Sequence, residues 1–547
     1  MVAVELLQVF SALVILYILS KFVTNRVNRN RLPLPPGPKG LPLVGNIKDL
    51  PGPGDKEYLH WLKHRDTYGP ISSVTVLGQT IIIIHDKNLA SELMEKRAPN
   101  HSGRPVLVFG MQMCGWDEIM SMWSYNPAVK LSRKLMYQEL GSKSAVSEYY
   151  PLQETVVGHF LWRASRDKGE NLTKNLKTEA AELILKATYG YDIEPHKNDP
   201  LVDLVGEAME NFSEAMVPGK WVVDILPVLK YLPDWAPGAG FKKTARVWKK
   251  TLMRVINVPY EYVKFQRSHS TAGASFVSRI LDERRNLKEQ KHQTERELRD
   301  LSKEDEQMLK MTAASLYLAG ADTTVQSLRA FFLAMAMYPD VQHKAQEEID
   351  RVIGSSPTRL PTFTDREHLP YIRALVEEAQ RWHPVTLMGL THATEKEDSI
   401  NGYRIPKGAL LLPAVWWFTR DPSVYHNPEE FIPERFSEPY NEPYATNVTF
   451  GFGRRICPGR VFADASLFLT MVQVLSVFDI KKPLDEAGNQ VELQHEFSSG
   501  IIAYPGPFKV RLTPRSKAHE LLIEKFIEEH PWPESDANLI EKMMMME

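Results

Sequence analysis

Cysteine is nearly absent from this sequence: Cys114 and Cys457 are the only two among 547 residues. A disulfide framework is therefore excluded, and the usage fits a reducing compartment in which a lone cysteine serves as ligand or nucleophile. Charge of one sign is not in excess either. The formal net charge is -2 and there is no long basic arm, which removes any overall bias toward nucleic acid. The sequence also lacks an internal repeat and any convincing flavin- or dinucleotide-binding segment. Hydrophobic residues at 43% and charged residues at 24% are ordinary for a globular protein, and the length suits one large enzyme domain with appendages.

What is present begins at the N-terminus. Leu6 to Val23 is mostly apolar and, as a helix, spans about 27 Å, close to the thickness of a bilayer core. Glu5 precedes it, whereas Lys21, Arg26, Arg29 and Arg31 accompany or follow its end. That asymmetry places the following domain on the cytoplasmic side. A cleaved signal peptide is the competing reading. Against it stand the length of the apolar stretch, no positive region before it and no clear small-x-small site after it. The same orientation leaves the glycosylation triplets at Asn100, Asn171, Asn211 and Asn447 idle.

Leu32 to Lys39 is a proline-rich spacer that cannot continue the anchor helix. Ile71 to Leu77 and Thr80 to His85 read as a β-hairpin joined at Gly78-Gln79. A long, mainly helical region follows. Asn286 to Gln307 reads as a solvated connector running into a helix start, with Ser302 and Asp305 as a capping box. The helix is expected from Lys303 to Tyr338, ended by Pro339, and its several apolar faces predict burial through the middle of a large domain. After Pro384 short strands and turns take over, and residues 516–547 form a charged extension. The predicted fold class is mainly α with a smaller β-rich part, preceded by one transmembrane helix. Its divisions are an anchor with basic flank at 1–31, a main domain at 32–515 and the extension at 516–547.

The strongest chemical signal is Phe450-Gly-Phe-Gly453-Arg-Arg455-Ile-Cys457-Pro-Gly459. A thiolate held on a metal needs a turn whose amides face the sulfur, and glycines permit that turn. A cysteine in an ordinary loop is more often an inert buried residue. The arrangement F-x-x-G-x-R-x-C-x-G fixes five positions, and it resembles the haem-binding loop of the cytochrome P-450 family.

Three further motifs follow that family's order. Ala319-Gly320-Ala-Asp322-Thr323-Thr324 lies within the long helix. An acid beside an alcohol suits proton relay to dioxygen, with Gly320 leaving space for a small ligand; the alternative is that Thr323 merely bonds a preceding carbonyl. Glu378 and Arg381, three apart, share a helix face. Such a pair is usually solvated, but Pro433-Glu434-Arg435-Phe436 supplies the partner with which the family builds a buried structural network of Glu378, Arg381 and Arg435.

The resemblance covers roughly residues 32–515 and implies the cytochrome P-450 fold with haem b ligated by Cys457. Phe450, Gly453, Arg455 and Gly459 would form the cofactor loop, and Arg133, His392 and Arg455 would face the propionates. Val129 stands where the family commonly has a Trp, with Trp123 or Trp116 as substitutes, and Thr391 stands where a Pro is usual. Asp322 and Thr323 would be the oxygen-activating pair. Electrons would come from NADPH through a separate flavoprotein reductase, docking on Arg454, Arg460, Lys130 or Lys134. The enzyme would sit in the endoplasmic reticulum membrane as a single-pass protein, its catalytic domain facing the cytoplasm.

The stretch Pro218 to Asp224, with Pro227 to Pro233 and Trp235 to Gly238, is similar to a fungal secondary-metabolism branch of the family. It is either an ordinary interhelical loop or a segment whose Trp221, Val222, Ile225 and Leu226 dip into the bilayer. Three functions compete. The first is a monooxygenase inserting one atom of O2 into a small lipophilic terpenoid, polyketide or indole-type substrate. The second is a haem-thiolate isomerase or dehydratase, which would not need the acid–alcohol pair; the third is a non-catalytic haem-binding membrane protein. The expected pocket walls are Pro105 to Trp123, Phe212 to Val217, Leu316, Val385 to Leu390 and Phe497 to Ile502.

Overall fold

A computed structural model describes residues 31–52, 54–217, 220–290 and 302–546. The expected anchor lies outside the described residues, as do Pro218, Gly219 and residues 291–301 of the 286–307 connector. The contacts divide the chain into two compact units, residues 1–105 with 388–414 and residues 106–387 with 415–547.

The first unit holds helix α1 (Glu57–Tyr68) and a four-stranded sheet. Strands β1 (Ile71–Val76) and β2 (Gln79–Ile84) form an antiparallel hairpin. The turn falls at Leu77-Gly78, one residue earlier than expected, because both residues take positive φ, 48° and 89°. That is the geometry whose twist suits a two-residue hairpin. Strand β3 (His392–Ala393) pairs antiparallel with β6 (Leu410–Pro413), which runs parallel to β2. A separate small hairpin joins β4 (Asp398–Ile400) to β5 (Tyr403–Ile405). The β-branched run of β2 is buried, and Trp61, Val74 and Ile83 form a small core beneath it.

The second unit is mostly helical, as its sequence patterning predicts. Its principal helices are α2 (Pro127–Leu140), α3 (Tyr150–Asp167), α4 (Leu172–Tyr189), α5 (Pro200–Ala215) and α6 (Gly240–Ser268). Then come α7 (Lys303–Met337), α8 (Pro339–Ile353), α9 (Pro370–Trp382) and α10 (Arg460–Val477). Strands β7 (Phe478–Lys481) and β8 (Arg511–Pro514) pair antiparallel after them.

Helix α7 is the axis of this unit. Ser302 caps it by accepting the Asp305 amide, Glu304 and Glu306 complement its N-terminal dipole, and Pro339 stops it. Its first half, Leu309 to Ala321, belongs to one hydrophobic cluster, and its second half, from Val325, belongs to another. Asp322, Thr323 and Thr324 occupy the seam between the two. Among the described residues one helix, α10, is long and apolar enough to cross a membrane, but 78% of its apolar window is buried, so it reads as a core helix.

The 516–547 extension is part of the second unit. Helices α11 (Lys517–Glu529) and α12 (Ala537–Met546) pack there through buried Leu522, Ile523 and Ile540. Between them the Trp532 ring stacks on His159 of α3 at 4.4 Å, and Asp536 accepts the Tyr262 hydroxyl of α6 at 2.7 Å.

Candidate active site

The cysteine loop is shaped by its glycines. Gly451 and Gly453 take φ of 81° and 51°, the left-handed region that a side chain disfavours. Gly453 opens a single 3-10 turn to Arg455, and the Cys457 amide then donates to the Phe450 carbonyl at 2.8 Å, closing the loop. Gly459 caps α10, and its amide faces the Cys457 sulfur. Burial pushes the Cys457 thiol up from its ordinary range, while the Gly459 amide and then Arg133 and Arg460 pull it down. Cys114 has no such surroundings. It is fully buried, and burial with Asp224 nearby pushes it up to about 12, so it stays a neutral thiol.

Arg133 reaches this loop from α2, whose start is fixed by Asn126 accepting the Val129 amide. Its guanidinium donates to the Ile456 carbonyl at 2.6 Å. Together Lys130, Arg133, Lys134, Arg460 and the Cys457 loop line a cleft of about 230 Å3. Arg455, itself buried, donates to the Trp123 carbonyl, and it lies with Arg454 over the Tyr125 ring. Tyr125 was not singled out in the sequence, since no motif marks it.

Val129 is fully buried in the apolar core and can offer no side-chain donor. Trp123 is not a free substitute, because its indole N–H donates to the Asp117 carbonyl at 2.6 Å. Trp116 is buried with its ring 4.5 Å from that of Phe212. His392 belongs to the first unit, where its Nδ1 lies 2.7 Å from the His101 carbonyl oxygen.

In the middle of α7, Asp322 is almost completely buried. Its Oδ1 accepts from the Gln326 amide at 2.9 Å and its Oδ2 from the Tyr504 hydroxyl at 2.8 Å. Burial raises the Asp322 carboxyl above its usual range, opposed by those two hydrogen bonds and by the positive charges of Lys177 and Arg329. Thr323 does not meet it: its hydroxyl donates to the Ala319 carbonyl at 2.8 Å, the back-bonding alternative. Gly320, two residues before Asp322, is half-buried. A Cβ there would stand 2.8 Å from Ile184 Cγ1, so its missing side chain serves the close approach of α7 to α4. Tyr504 was also missed, because it lies in a loop with no motif around it.

Glu378, Arg381 and Arg435 come together, all fully buried. Arg381 donates to both carboxylate oxygens of Glu378 at 2.7 and 2.9 Å, and Arg435 donates to one of them at 3.0 Å. The remaining donors go to backbone carbonyls of Thr419, Pro428, Glu430 and His426 and to Glu442. Every charge here is compensated, which is what makes burial tolerable. Of the expected pocket walls, Val385 accepts the amide of Ala503, just beyond the 497–502 wall, at 2.8 Å. Trp221 is packed rather than free. Its ring stacks on Phe109 at 3.5 Å, whereas Val222, Leu226, Val228, Tyr231 and Trp235 are exposed.

A soft thiol faced by the Gly459 amide in a glycine turn, with buried Arg455 and half-buried Arg133 available for an anionic group, fits a haem bearing propionates. The family model described as cytochrome P-450 matches residues 35–511. The chain is 44% identical over 508 residues to the multifunctional cytochrome P-450 monooxygenase af510 of Aspergillus fumigatus, covering 93% of each. It is 44% identical over 524 residues to the cytochrome P-450 monooxygenase CLM2 of Gibberella zeae, covering 95% of this chain and 96% of that one. To O-methylsterigmatocystin oxidoreductase of Aspergillus flavus it is 41% identical over 536 residues, covering 97% of each. The chain belongs to the cytochrome P-450 family: it is an oxidoreductase that binds haem b through a cysteine thiolate and works as a monooxygenase with electrons from a redox partner.

Proposed function

We propose that this enzyme hydroxylates a small lipophilic metabolite of fungal secondary metabolism, with Cys457 as the axial ligand. The haem, once bound, supplies reductive activation of dioxygen, so that one oxygen atom enters the substrate and the other leaves as water. Phe450, Gly453 and Gly459 shape the ligand loop, and Arg455 with Arg133 compensates the propionate charge. Glu378, Arg381 and Arg435 are a structural network that fixes the backbone between residues 419 and 430 and take no part in the chemistry.

The observation that carries the reading is the buried acid at the seam of α7. A carboxyl held above its usual range at the seam between the two hydrophobic clusters of a buried helix is suited to storing and passing a proton. Thr323 is its partner once the hydroxyl leaves the Ala319 carbonyl. A haem-thiolate isomerase or dehydratase takes no electrons from outside and does not need an acid–alcohol pair to deliver protons to dioxygen.

The cleft lined by Lys130, Arg133, Lys134 and Arg460 supports docking of an NADPH-dependent flavoprotein reductase, since it sets four cations beside the ligand loop. Charge reversal at Lys130 and Lys134 should slow reductase-supported turnover most at low salt. Membrane attachment in the endoplasmic reticulum, facing the cytoplasm, would combine the 1–31 anchor with the exposed apolar side chains of Val222, Leu226, Val228, Tyr231 and Trp235. A cluster of that kind is unusual against water.

Candidate terpenoid, polyketide and indole metabolites should be incubated with the membrane-bound enzyme, reductase and NADPH under isotopically labelled dioxygen. The expected product carries a single labelled oxygen. Conversion that proceeds without NADPH or without dioxygen would sink the hydroxylase reading.

A further inference from the structure

Asp322 meets a group that the acid–alcohol motif does not contain. Tyr504 holds a single hydroxyl hydrogen, and two oxygens compete for it: Asp322 Oδ2 at 2.8 Å and Ser213 Oγ of α5 at 3.3 Å. While the hydrogen lies on Asp322, Ser213 must donate to the phenol oxygen. Rotation about the C–O bond hands it to Ser213 instead, with no heavy atom moved, and leaves Asp322 Oδ2 without its donor.

The phenol is rigidly held. The Tyr504 amide donates to Ser498 Oγ at 2.9 Å, and the Ser498 amide returns a bond to the Tyr504 carbonyl at 2.9 Å. Arg329 donates to the next carbonyl, Pro505, at 3.2 Å. The charged groups around the acid are Arg329 on α7 and Lys177 on α4, the latter 3.5 Å from Glu210 of α5. Lys177 and Asp322 line a narrow cleft of about 10 Å3 with Val202, Val205, Gly206 and Met209 of α5. That is room for at most about one water. Asp322 is thus bounded by α5 on one side and by Tyr504 on another, and α5 also carries Phe212, whose ring packs against Trp116.

We infer that Tyr504 is a positioning residue for Asp322, a latch whose hydroxyl holds the acid until Ser213 of α5 takes the hydrogen. The inference rests on the reading of Asp322 as the proton-delivering acid. Movement of α5, the helix that carries expected pocket wall residues, would alter the Ser213 to Tyr504 distance and so couple pocket occupancy to proton release.

The test uses the haem-loaded full chain with reductase and NADPH in phosphatidylcholine vesicles, without added metabolite. Dioxygen then leaves either as hydrogen peroxide, after two electrons and two protons, or as two waters, after four of each. The peroxide released per NADPH consumed therefore reports how well protons are delivered. Tyr504→Phe keeps the ring and removes the hydrogen that latches the acid; it should lower the ratio by about two-fold or more and leave that of Asp322→Asn unchanged, the pattern of two residues acting as one unit. Ser213→Ala removes the second acceptor and keeps the latch closed; it should raise the ratio in the chain with Asp322 and leave it unchanged in Asp322→Asn, which keeps the test available if Tyr504→Phe does not fold. If Asp322→Asn shifts the ratio but neither Tyr504→Phe nor Ser213→Ala does, or if the effects simply add, the latch is overturned while the acid stands. If Asp322→Asn itself leaves the ratio unchanged, the acid reading falls and the latch with it.

Discussion

Arg133 donates to the carbonyl of Ile456 across 2.6 Å, which ties α2 to the residue just before the cysteine. A charge-assisted bond of this kind is worth about 1.5–3 kcal/mol. Arg133→Ala should therefore loosen the loop and remove a cation beside the sulfur. Transfer of haem from the loaded enzyme to an excess of apomyoglobin should become about ten-fold faster, following the 1.4 kcal/mol per decade rule. Arg133→Lys should recover part of the loss, because it keeps the charge without the planar fork.

Glu378 is the hub of the buried ion network, bonded by Arg381 and Arg435 with no solvent access. Glu378→Ala leaves Arg381 buried without a carboxylate and Arg435 with Glu442 alone. The expected cost is about 3–5 kcal/mol, read as a lower urea midpoint of the haem-loaded protein. A shift within error would show that the backbone carbonyls and Glu442 suffice to hold the two arginines.

Glu179 of α4 is fully enclosed, with Thr470 of α10 donating to one oxygen at 2.6 Å and the other without a bond in the structure. Burial pushes its carboxyl up to about 8. Below the ordinary carboxyl range both folded and unfolded chains carry the proton and the site imposes no pH dependence. As pH rises toward that value the unfolded chain releases its proton first, so stability is lost at up to about 1.4 kcal/mol per pH unit. Glu179→Gln should flatten this slope, making the variant relatively more stable near neutrality than in acid. Urea midpoints of both proteins at several pH values check the difference in slope.

The parts of this molecule that were legible in the sequence are those governed by neighbours in the chain. Ser302 and Pro339 bracket α7 through local backbone chemistry, and the glycines around Cys457 announce a turn that few other residues can make. The hairpin was legible except for its register, which shifted by one residue because Leu77 accepts a positive φ. Long-range packing was not legible. Tyr504 bonds Asp322 across 182 positions, and Gly320 meets Ile184 on another helix, contacts that no local period encodes. The charged composition of 516–547 likewise hid a few buried apolar anchors, Leu522, Ile523 and Ile540, that fasten it to the second unit.

Ligation by Cys457 is the claim on which the rest depends, and the reduced carbon monoxide complex tests it directly. Cys114→Ala should retain the red-shifted absorption band of a thiolate-ligated carbonyl haem, since Cys114 is a buried neutral thiol. Cys457→Ala should lose that band altogether while the protein still folds. A thiolate-type band that survives in Cys457→Ala, or disappears in a folded Cys114→Ala, would contradict the assignment.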